Sequence, residues 1–267
     1  MTTKEAPHIL FERKGPVGII SLNRPDRLNP LSADMVNAMR EHLIAMSQDQ
    51  SFRAAIITGI GRGFSSGMDV NRLAMDPSER PRSNFNWPRP RPEFQLPFLL
   101  RSAPFPVIGA INGVAAGAGM SLALSPDIRI MSDQARLVPI FIKRGVMPDM
   151  GLNYLLTRMV GTQKALELFW AAEPISPQLA LELRLVARVV PHEKLMEAAM
   201  EYAERLSSGP YVAVAFSKRA VYRAENNRLD DEMDWGSLAQ AQCMATEDAG
   251  EGARAFLQKR APVFKGQ

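Results

Sequence analysis

The sequence is poor in the residues that build covalent cross-links and metal sites. Its 267 residues include one cysteine and three histidines. Cys243 alone cannot form an intrachain disulfide, and His8, His42 and His192 show no metal-binding spacing. We therefore expect a protein of a reducing compartment, the cytoplasm, that binds no metal.

Long apolar runs and a strong charge of one sign are absent too. No uncharged stretch reaches the ~18 residues that a membrane-spanning helix needs, and the first residues lack the apolar run of a secretion signal. The 32 basic and 28 acidic residues leave a formal net charge of +4, too small and too dispersed to predict a nucleic-acid surface. Because 46% of the residues are hydrophobic, we expect a folded protein that binds neither membranes nor nucleic acid.

The pattern along the chain predicts alternating strands and helices followed by a helical region. Two short apolar stretches around Gly15 predict a hairpin, and Ser32 and Ser176 are placed as helix N-caps. Further strands are expected at residues 54–58, 106–111 and 127–132. Helical periodicity then dominates, and Gly209 marks the boundary between a core, residues 1–208, and a helical region, residues 209–267.

Residues 76–97 form an unusual insertion in which prolines alternate with arginines. This composition is expected to exclude a helix. Two interpretations stay open: a solvated surface loop, or an active-site lid whose arginines meet an anionic ligand.

Two glycine-rich segments, residues 59–67 and 113–119, each follow a predicted strand. They match neither a dinucleotide fingerprint nor a phosphate loop. Glycine turns of this kind expose backbone N–H groups, and two such turns side by side can form an oxyanion hole. Residues 63–67 (GFSSG) also match the pattern of a serine nucleophile elbow, with His192 as the one histidine placed to serve as base, so a serine hydrolase remains an alternative.

Asp149 is the acid of most interest. As a residue before a predicted helix it is a favoured N-cap, and a helix N-terminus would also keep its carboxylate ionised for use as a base. The two roles can coexist.

Five ordered motifs resemble the crotonase superfamily, also called the enoyl-CoA hydratase/isomerase family. They are residues 22–29 (LNRPDRLN), 63–70 (GFSSGMDV), 106–119 (PVIGAINGVAAGAG), 143–149 (KRGVMPD) and 255–260 (AFLQKR). The resemblance implies an α/β fold, a crotonase-like spiral of ββα units with a C-terminal helical trimerisation region. It therefore implies a homotrimer or a dimer of trimers, to which the large apolar residues of the helical region would contribute, namely Leu229, Met233, Trp235, Leu238 and Met244.

The resemblance also assigns catalytic roles. The backbone N–H groups of Met68 and Ala118 would form the oxyanion hole for a thioester carbonyl; family members usually have glycine at the second position, and alanine serves there if its φ is negative. The two glutamates of family hydratases fall at Ser121 and Phe141. Asp149 looks like the catalytic aspartate of family isomerases, including the dienoyl-CoA and epoxyphenylacetyl-CoA types.

These features favour an acyl-CoA isomerase in which Asp149 moves a proton. Ser121 would orient the substrate or a water, or simply be a small residue on a packed helix, and Phe141 would line the acyl pocket. A hydratase, a thioester hydrolase and a non-catalytic acyl-CoA-binding paralogue remain alternatives.

Coenzyme A would enter as part of the substrate thioester, with no separate cofactor. The resemblance places it against three groups of residues: Arg27, Leu28 and Pro30; Asp69 and Val70 around the adenine; and Phe256 and Lys259 of the tail, from the same or a neighbouring subunit.

Overall fold

The computed structural model describes residues 6–68 and 92–267 and contains two β-sheets. The larger sheet has the strand order β1-β2-β3-β5-β7-β9, and the smaller one β4-β6-β8. β1 and β2 are antiparallel, and the other pairs are parallel. The strands are β1 (Ile9–Lys14), β2 (Val17–Leu22), β3 (Ala54–Gly59), β4 (Gly63–Ser65), β5 (Val107–Ile111), β6 (Val114–Ala116), β7 (Ile128–Ser132), β8 (Arg136–Val138) and β9 (Arg188–Val190).

Ten α-helices surround the sheets within the described residues. They are α1 (Ala33–Gln48), α2 (Pro92–Ser102), α3 (Ala118–Leu124), α4 (Leu152–Val160), α5 (Thr162–Ala171), α6 (Pro177–Glu182), α7 (Leu195–Ser207), α8 (Tyr211–Ala224), α9 (Leu229–Met244) and α10 (Glu247–Leu257). No helix in these parts of the chain is long and apolar enough to cross a membrane.

Local sequence signals account for several element boundaries. Gly15, at φ +56°, turns the β1–β2 hairpin, as predicted. The hydroxyl of Ser32 accepts a hydrogen bond from Met35 N at 3.3 Å, and that of Ser176 accepts one from Leu179 N at 3.2 Å. Both predicted N-caps are therefore confirmed.

The central strands β2, β3 and β5 of the large sheet are buried on both faces, which is typical of parallel strands. On one face α7 packs its alanines, Ala199 and Ala203, against Ile19, Ile56 and Ile108 of the central strands. The other face joins the main core. There Ile20 and Ile57 lie in one cluster with residues of α1, α2 and α3, including Met35, Met39, Leu96, Leu100, Met120 and Leu122.

The expectation that residues 76–97 exclude a helix is wrong at their end, because α2 begins at Pro92 and includes Pro97. A proline at a helix start lacks an N–H that would have no helical partner in any case. Burial of Leu96 and Leu100 against the core offsets the bond lost at Pro97. The rest of the insertion, up to residue 91, lies outside the described residues.

A buried polar cluster attaches α8 to the core. Lys218 Nζ donates to Leu100 O at 2.8 Å and Phe105 O at 2.9 Å, and lies 2.8 Å from Asp127 Oδ2. Tyr222 donates its hydroxyl to Asp127 Oδ1 at 2.5 Å. Burial lowers the pKa of Lys218 and raises the pKa of Tyr222, and the Asp127 charge opposes the first shift and adds to the second.

Large apolar side chains of the helical region are exposed on the single chain. They are Leu229, Met233, Leu238 and Met244 of α9 and Phe256 and Leu257 of α10. An exposed apolar surface of this extent is typical of a protein–protein interface.

Candidate active site

The small parallel sheet brings three loops to one edge. β4 pairs with β6 and β6 with β8, so the carboxyl ends of all three strands lie together. Met68 follows the last residue of β4 by three positions, Ala118 follows that of β6 by two, and Phe141 follows that of β8 by three. This topology places three of the predicted site residues on one side of the sheet.

Gly67 permits close contact between the two glycine loops. Its φ is +89°, and a β-carbon there would lie 2.5 Å from Ala116 O and 3.2 Å from Ala118 N. Met68 follows Gly67 directly, so its amide is one residue along the chain from this close contact. Among the described residues, no hydrogen bond uses either amide as a donor, and Ala118 is absent from the residues with positive φ. The condition for alanine to replace glycine is met.

Two buried asparagines hold the first glycine loop. The side-chain amide of Asn29 donates to Ile60 O and to Gly63 O, while its Oδ1 accepts from Arg24 N at 2.7 Å. Asn112 donates to Gly61 O and accepts from Gly59 N. Neither was predicted as a site residue. The available signal for Asn29 was its residue type, since asparagine tolerates the left-handed backbone that Asn29 adopts at φ +55°.

Asp149 is not the N-cap of a helix, which corrects the prediction. α4 begins at Leu152, and its cap is Gly151 at φ +75°. Two consecutive left-handed residues, Met150 and Gly151, separate Asp149 from the helix and turn the chain away from the expected path. The predicted end of this helix at Gly161 is confirmed. Asp149 itself is half-buried.

Ser121 connects the second glycine loop to Asp149. It lies on α3 one turn beyond Ala118, is fully buried, and donates its hydroxyl to Asp149 O at 3.1 Å. The backbone of Asp149 is therefore attached about one helical turn, ~5 Å of rise, from the Ala118 amide. This brings the predicted base and the predicted oxyanion donor into the same region.

Phe141 lies in the apolar surroundings of this region. It is buried in the same cluster as Ala118, Met150 and Leu152, and Met68 packs against that cluster. A phenyl ring here provides neither a proton nor a charge, so its position suits a wall of an apolar pocket.

The first group of predicted coenzyme A residues lies beside the Met68 loop. Ser66 donates its backbone N–H to Leu28 O at 2.7 Å and its hydroxyl to Arg27 O at 3.3 Å. Pro30 is buried, whereas the Arg27 side chain is exposed beside Asp26. Asp69 and Val70 lie outside the described residues.

The third group, Phe256 and Lys259, lies at the end of α10. Phe256 is 82% exposed, so it packs against little of this chain, and Lys259 is exposed as well. The neighbouring Arg260 is held by Glu251, whose Oε1 and Oε2 accept from it at 2.6 and 3.0 Å, and this pairing lowers the pKa of Glu251 to about 2. The Arg260 charge is thus already neutralised within the chain.

The serine nucleophile elbow is not formed. Ser65 is fully buried and donates its hydroxyl to Asn29 O at 2.8 Å. His192 Nδ1 instead lies 3.0 Å from Ser132 Oγ. The serine hydrolase alternative therefore lacks its nucleophile–base pair.

Backbone amides without a partner among the described residues are groups that can stabilise a negatively charged oxygen, and a carboxylate is a group that can accept a proton. A family model described as enoyl-CoA hydratase/isomerase matches residues 12–267. The chain belongs to this family, and the crotonase fold implied by the sequence motifs is confirmed.

Relatives and solved structures extend the comparison over nearly the whole chain. The 1,2-epoxyphenylacetyl-CoA isomerase of Escherichia coli is 37% identical, with 97% of this chain and 98% of the relative covered. The short-chain-enoyl-CoA hydratase of Clostridium acetobutylicum is 33% identical, with 96% and 97% covered. The crystal structure of an enoyl-CoA hydratase from Polaromonas sp. JS666 superposes with a TM-score of 0.90 at 30% identity, covering 96% of this chain and 99% of that one.

Proposed function

We propose that this chain is an acyl-CoA isomerase that uses one aspartate base and a two-amide oxyanion hole. The observation that carries the proposal is the joining of Asp149 to the Ala118 loop through Ser121. The two positions that the resemblance assigns to hydratase glutamates hold a fully buried serine and a buried phenylalanine. One carboxylate is enough for a proton shift, whereas hydration by two glutamates has no pair here.

In the proposed reaction, the thioester carbonyl lies against the amides of Met68 and Ala118. Asp149 removes a proton from the carbon next to the carbonyl, or from its vinylogous position, and the electrons move onto the carbonyl oxygen. The two amides stabilise this enolate because its charge is greatest on that oxygen. Asp149 then returns the proton to a different carbon, so the double bond moves and the composition of the acyl group is unchanged.

The names of the relatives support both this proposal and its main alternative. A relative at 37% identity is an epoxyphenylacetyl-CoA isomerase, and others at 33–34% are called hydratases. We therefore keep hydration as the outcome that would replace isomerisation.

The proposal also assigns residues to coenzyme A and to subunit assembly. Arg27, Leu28 and Pro30 would lie along the coenzyme A chain, and Phe256 and Lys259 would reach it from a neighbouring subunit, since Phe256 contacts little of its own chain. The exposed apolar side chains of α9 and α10 would be covered in a homotrimer or a dimer of trimers. Such an enzyme, with its one cysteine, would act in the cytoplasm.

The test is turnover of a panel of enoyl-CoA isomers in deuterium oxide, followed by mass spectrometry. Isomerisation adds no atoms to the acyl group and places deuterium at the new carbon to the extent that the proton on Asp149 exchanges with solvent, whereas hydration adds the mass of one molecule of deuterium oxide. Asp149→Asn should lower kcat by about 10²- to 10⁴-fold. Unchanged turnover by folded Asp149→Asn, or a hydrated product from the wild type, would contradict the proposal.

A further inference from the structure

The chain after Asp149 follows a strained path. Met150 has a φ of +48° and Gly151 one of +75°, so two consecutive residues are left-handed. For a residue with a side chain this conformation costs about 1–2 kcal/mol. Met150 is nevertheless 1% exposed, with its side chain in the main core. Strain of this kind persists when surrounding contacts hold it, and it is concentrated at functional sites.

Two donors fix the carbonyl that begins this turn. Asp149 O accepts from Ser121 Oγ at 3.1 Å and from Leu152 N at 3.0 Å. The second donor belongs to the turn itself, whereas Ser121 belongs to α3. The serine hydroxyl is thus a direct polar link between the strained turn and the helix that begins at Ala118.

We infer that Ser121 is a positioning residue, whose hydroxyl sets the direction of the Asp149 carboxylate relative to the Ala118 amide. This inference rests on the proposed role of Asp149 as the base. The carbonyl carbon and the side chain of Asp149 are attached to the same Cα, so a hydrogen bond that holds the carbonyl in place restrains the orientation of this Cα and of the carboxylate it carries. With its hydrogen bonded to Asp149 O and no exposed surface, the serine acts through Asp149 and does not touch the substrate.

The inference predicts a change in kcat with little change in KM. Ser121→Ala removes the donor and leaves a cavity smaller than a water molecule, and misdirection of the base should lower kcat by about 10- to 100-fold. The matched control is Ser125→Ala, one turn further along the same helix. Ser125 is also buried, but its hydroxyl donates to Ser121 O within the helix, and its variant should keep kcat within twofold of the wild type.

A double-mutant cycle with Asp149→Asn tests whether Ser121 acts through Asp149. In the Asp149→Asn background, Ser121→Ala should cause no further loss of kcat. Ser121→Thr, which retains a hydroxyl, should recover part of the activity of Ser121→Ala. An equal loss in both backgrounds, or a folded Ser121→Ala with wild-type kcat, would overturn the inference.

The two proposals fail in different ways. If Asp149→Asn is as active as the wild type, the proposed function itself is wrong. If Asp149→Asn is inactive and Ser121→Ala is fully active, only the positioning role is wrong. Should Ser121→Ala not fold, Ser121→Cys replaces it under the same criteria, because a thiol is a much weaker hydrogen-bond donor than the hydroxyl of serine.

Discussion

The side-chain amides of Asn29 and Asn112 converge on one acceptor, the main-chain oxygen of Gly63, at 2.8 and 3.3 Å. These residues come from different parts of the chain, before α1 and after β5. Together they hold the start of the glycine loop that leads to Met68. The position of the proposed oxyanion donor is therefore determined by buried amides outside the loop.

Replacement of Asn29 should destabilise the fold. Asn29→Ala leaves Arg24 N, Ile60 O and Gly63 O without this partner and places alanine at φ +55°, so a loss of ~2–4 kcal/mol in the free energy of unfolding is expected. Urea denaturation of the wild type and the variant measures this loss. Asn29→Gly also removes the side-chain amide, but glycine adopts φ +55° without strain, so this variant should lose less free energy of unfolding than Asn29→Ala. Equal losses in the two variants would show that backbone strain contributes nothing.

A proline at position 118 would remove the backbone N–H of Ala118 and keep an apolar side chain there. Ala118 is the first residue of α3, a position that tolerates proline. Ala118→Pro should lower kcat by about 10²- to 10³-fold, the usual effect of losing one oxyanion donor. Ala118→Gly keeps the N–H and should stay within a few-fold of the wild type. If folded Ala118→Pro were also that active, the oxyanion role of this amide would be refuted.

The raised pKa of Tyr222 predicts that the folded chain loses stability at alkaline pH. Burial and the Asp127 charge raise the pKa of its phenol in the folded chain above the ordinary value of 10.0, so only the unfolded chain ionises just above that pH. The contribution of Tyr222 is thus complete below pH 10.0 and decreases above it, by about 1.4 kcal/mol per pH unit. Tyr222→Phe has no such titration. The difference in unfolding free energy between wild type and variant should shrink above pH 10.0, and a constant difference would contradict the assignment.

Arg27 is expected to recognise the phosphates of coenzyme A. Because its side chain is exposed, Arg27→Ala should raise KM for a CoA thioester by about fivefold, equivalent to ~1 kcal/mol. The matching pantetheine thioester lacks the nucleotide phosphates, so its KM should not change. Lys14→Ala, at an exposed basic residue of β1, is the control. An equal effect on both thioesters would exclude a phosphate contact.

The proposed role of the exposed apolar residues of α9 in subunit assembly can be tested by introducing a charge there. Leu238→Glu and Met233→Glu should shift the protein towards the monomer in sedimentation velocity, because each would bury a charge in the proposed interface. Leu181→Glu, at an exposed leucine of α6, should leave the sedimentation coefficient unchanged. A wild type that sediments as a monomer would refute the proposed trimer.

Features determined by a few adjacent residues were predictable from the sequence. Ser32 and Ser176 cap their helices because the acceptor and the amide it binds are three residues apart. The two glycine loops were predictable for the same reason, because each follows a predicted strand directly in the sequence. Resemblance to a family supplied the roles of Met68 and Ala118, which spacing alone could not.

Features determined by distant contacts were not predictable. Asp149 resembled an N-cap, but the buried side chain of Met150 and the left-handed Gly151 place the helix start at Leu152. Pro97 was expected to prevent a helix, but burial of Leu96 and Leu100 stabilises α2 around it. The link from Ser121 to Asp149 spans 28 positions and depends on how α3 meets the following loop.

The acceptors around Lys218 lie in three separate stretches of the core: in α2, before β5, and before β7. Although the sequence pattern predicts a boundary near Gly209, beyond which it is all-helical, the helices beyond it are not an interchangeable module. A chimera that joins this helical region to the core of a relative would need Asp127 and both carbonyls in matching places, or it would bury an unmatched ammonium. The core and the helical region are therefore expected to diverge in concert, with substitutions at Lys218 accompanied by substitutions at Asp127.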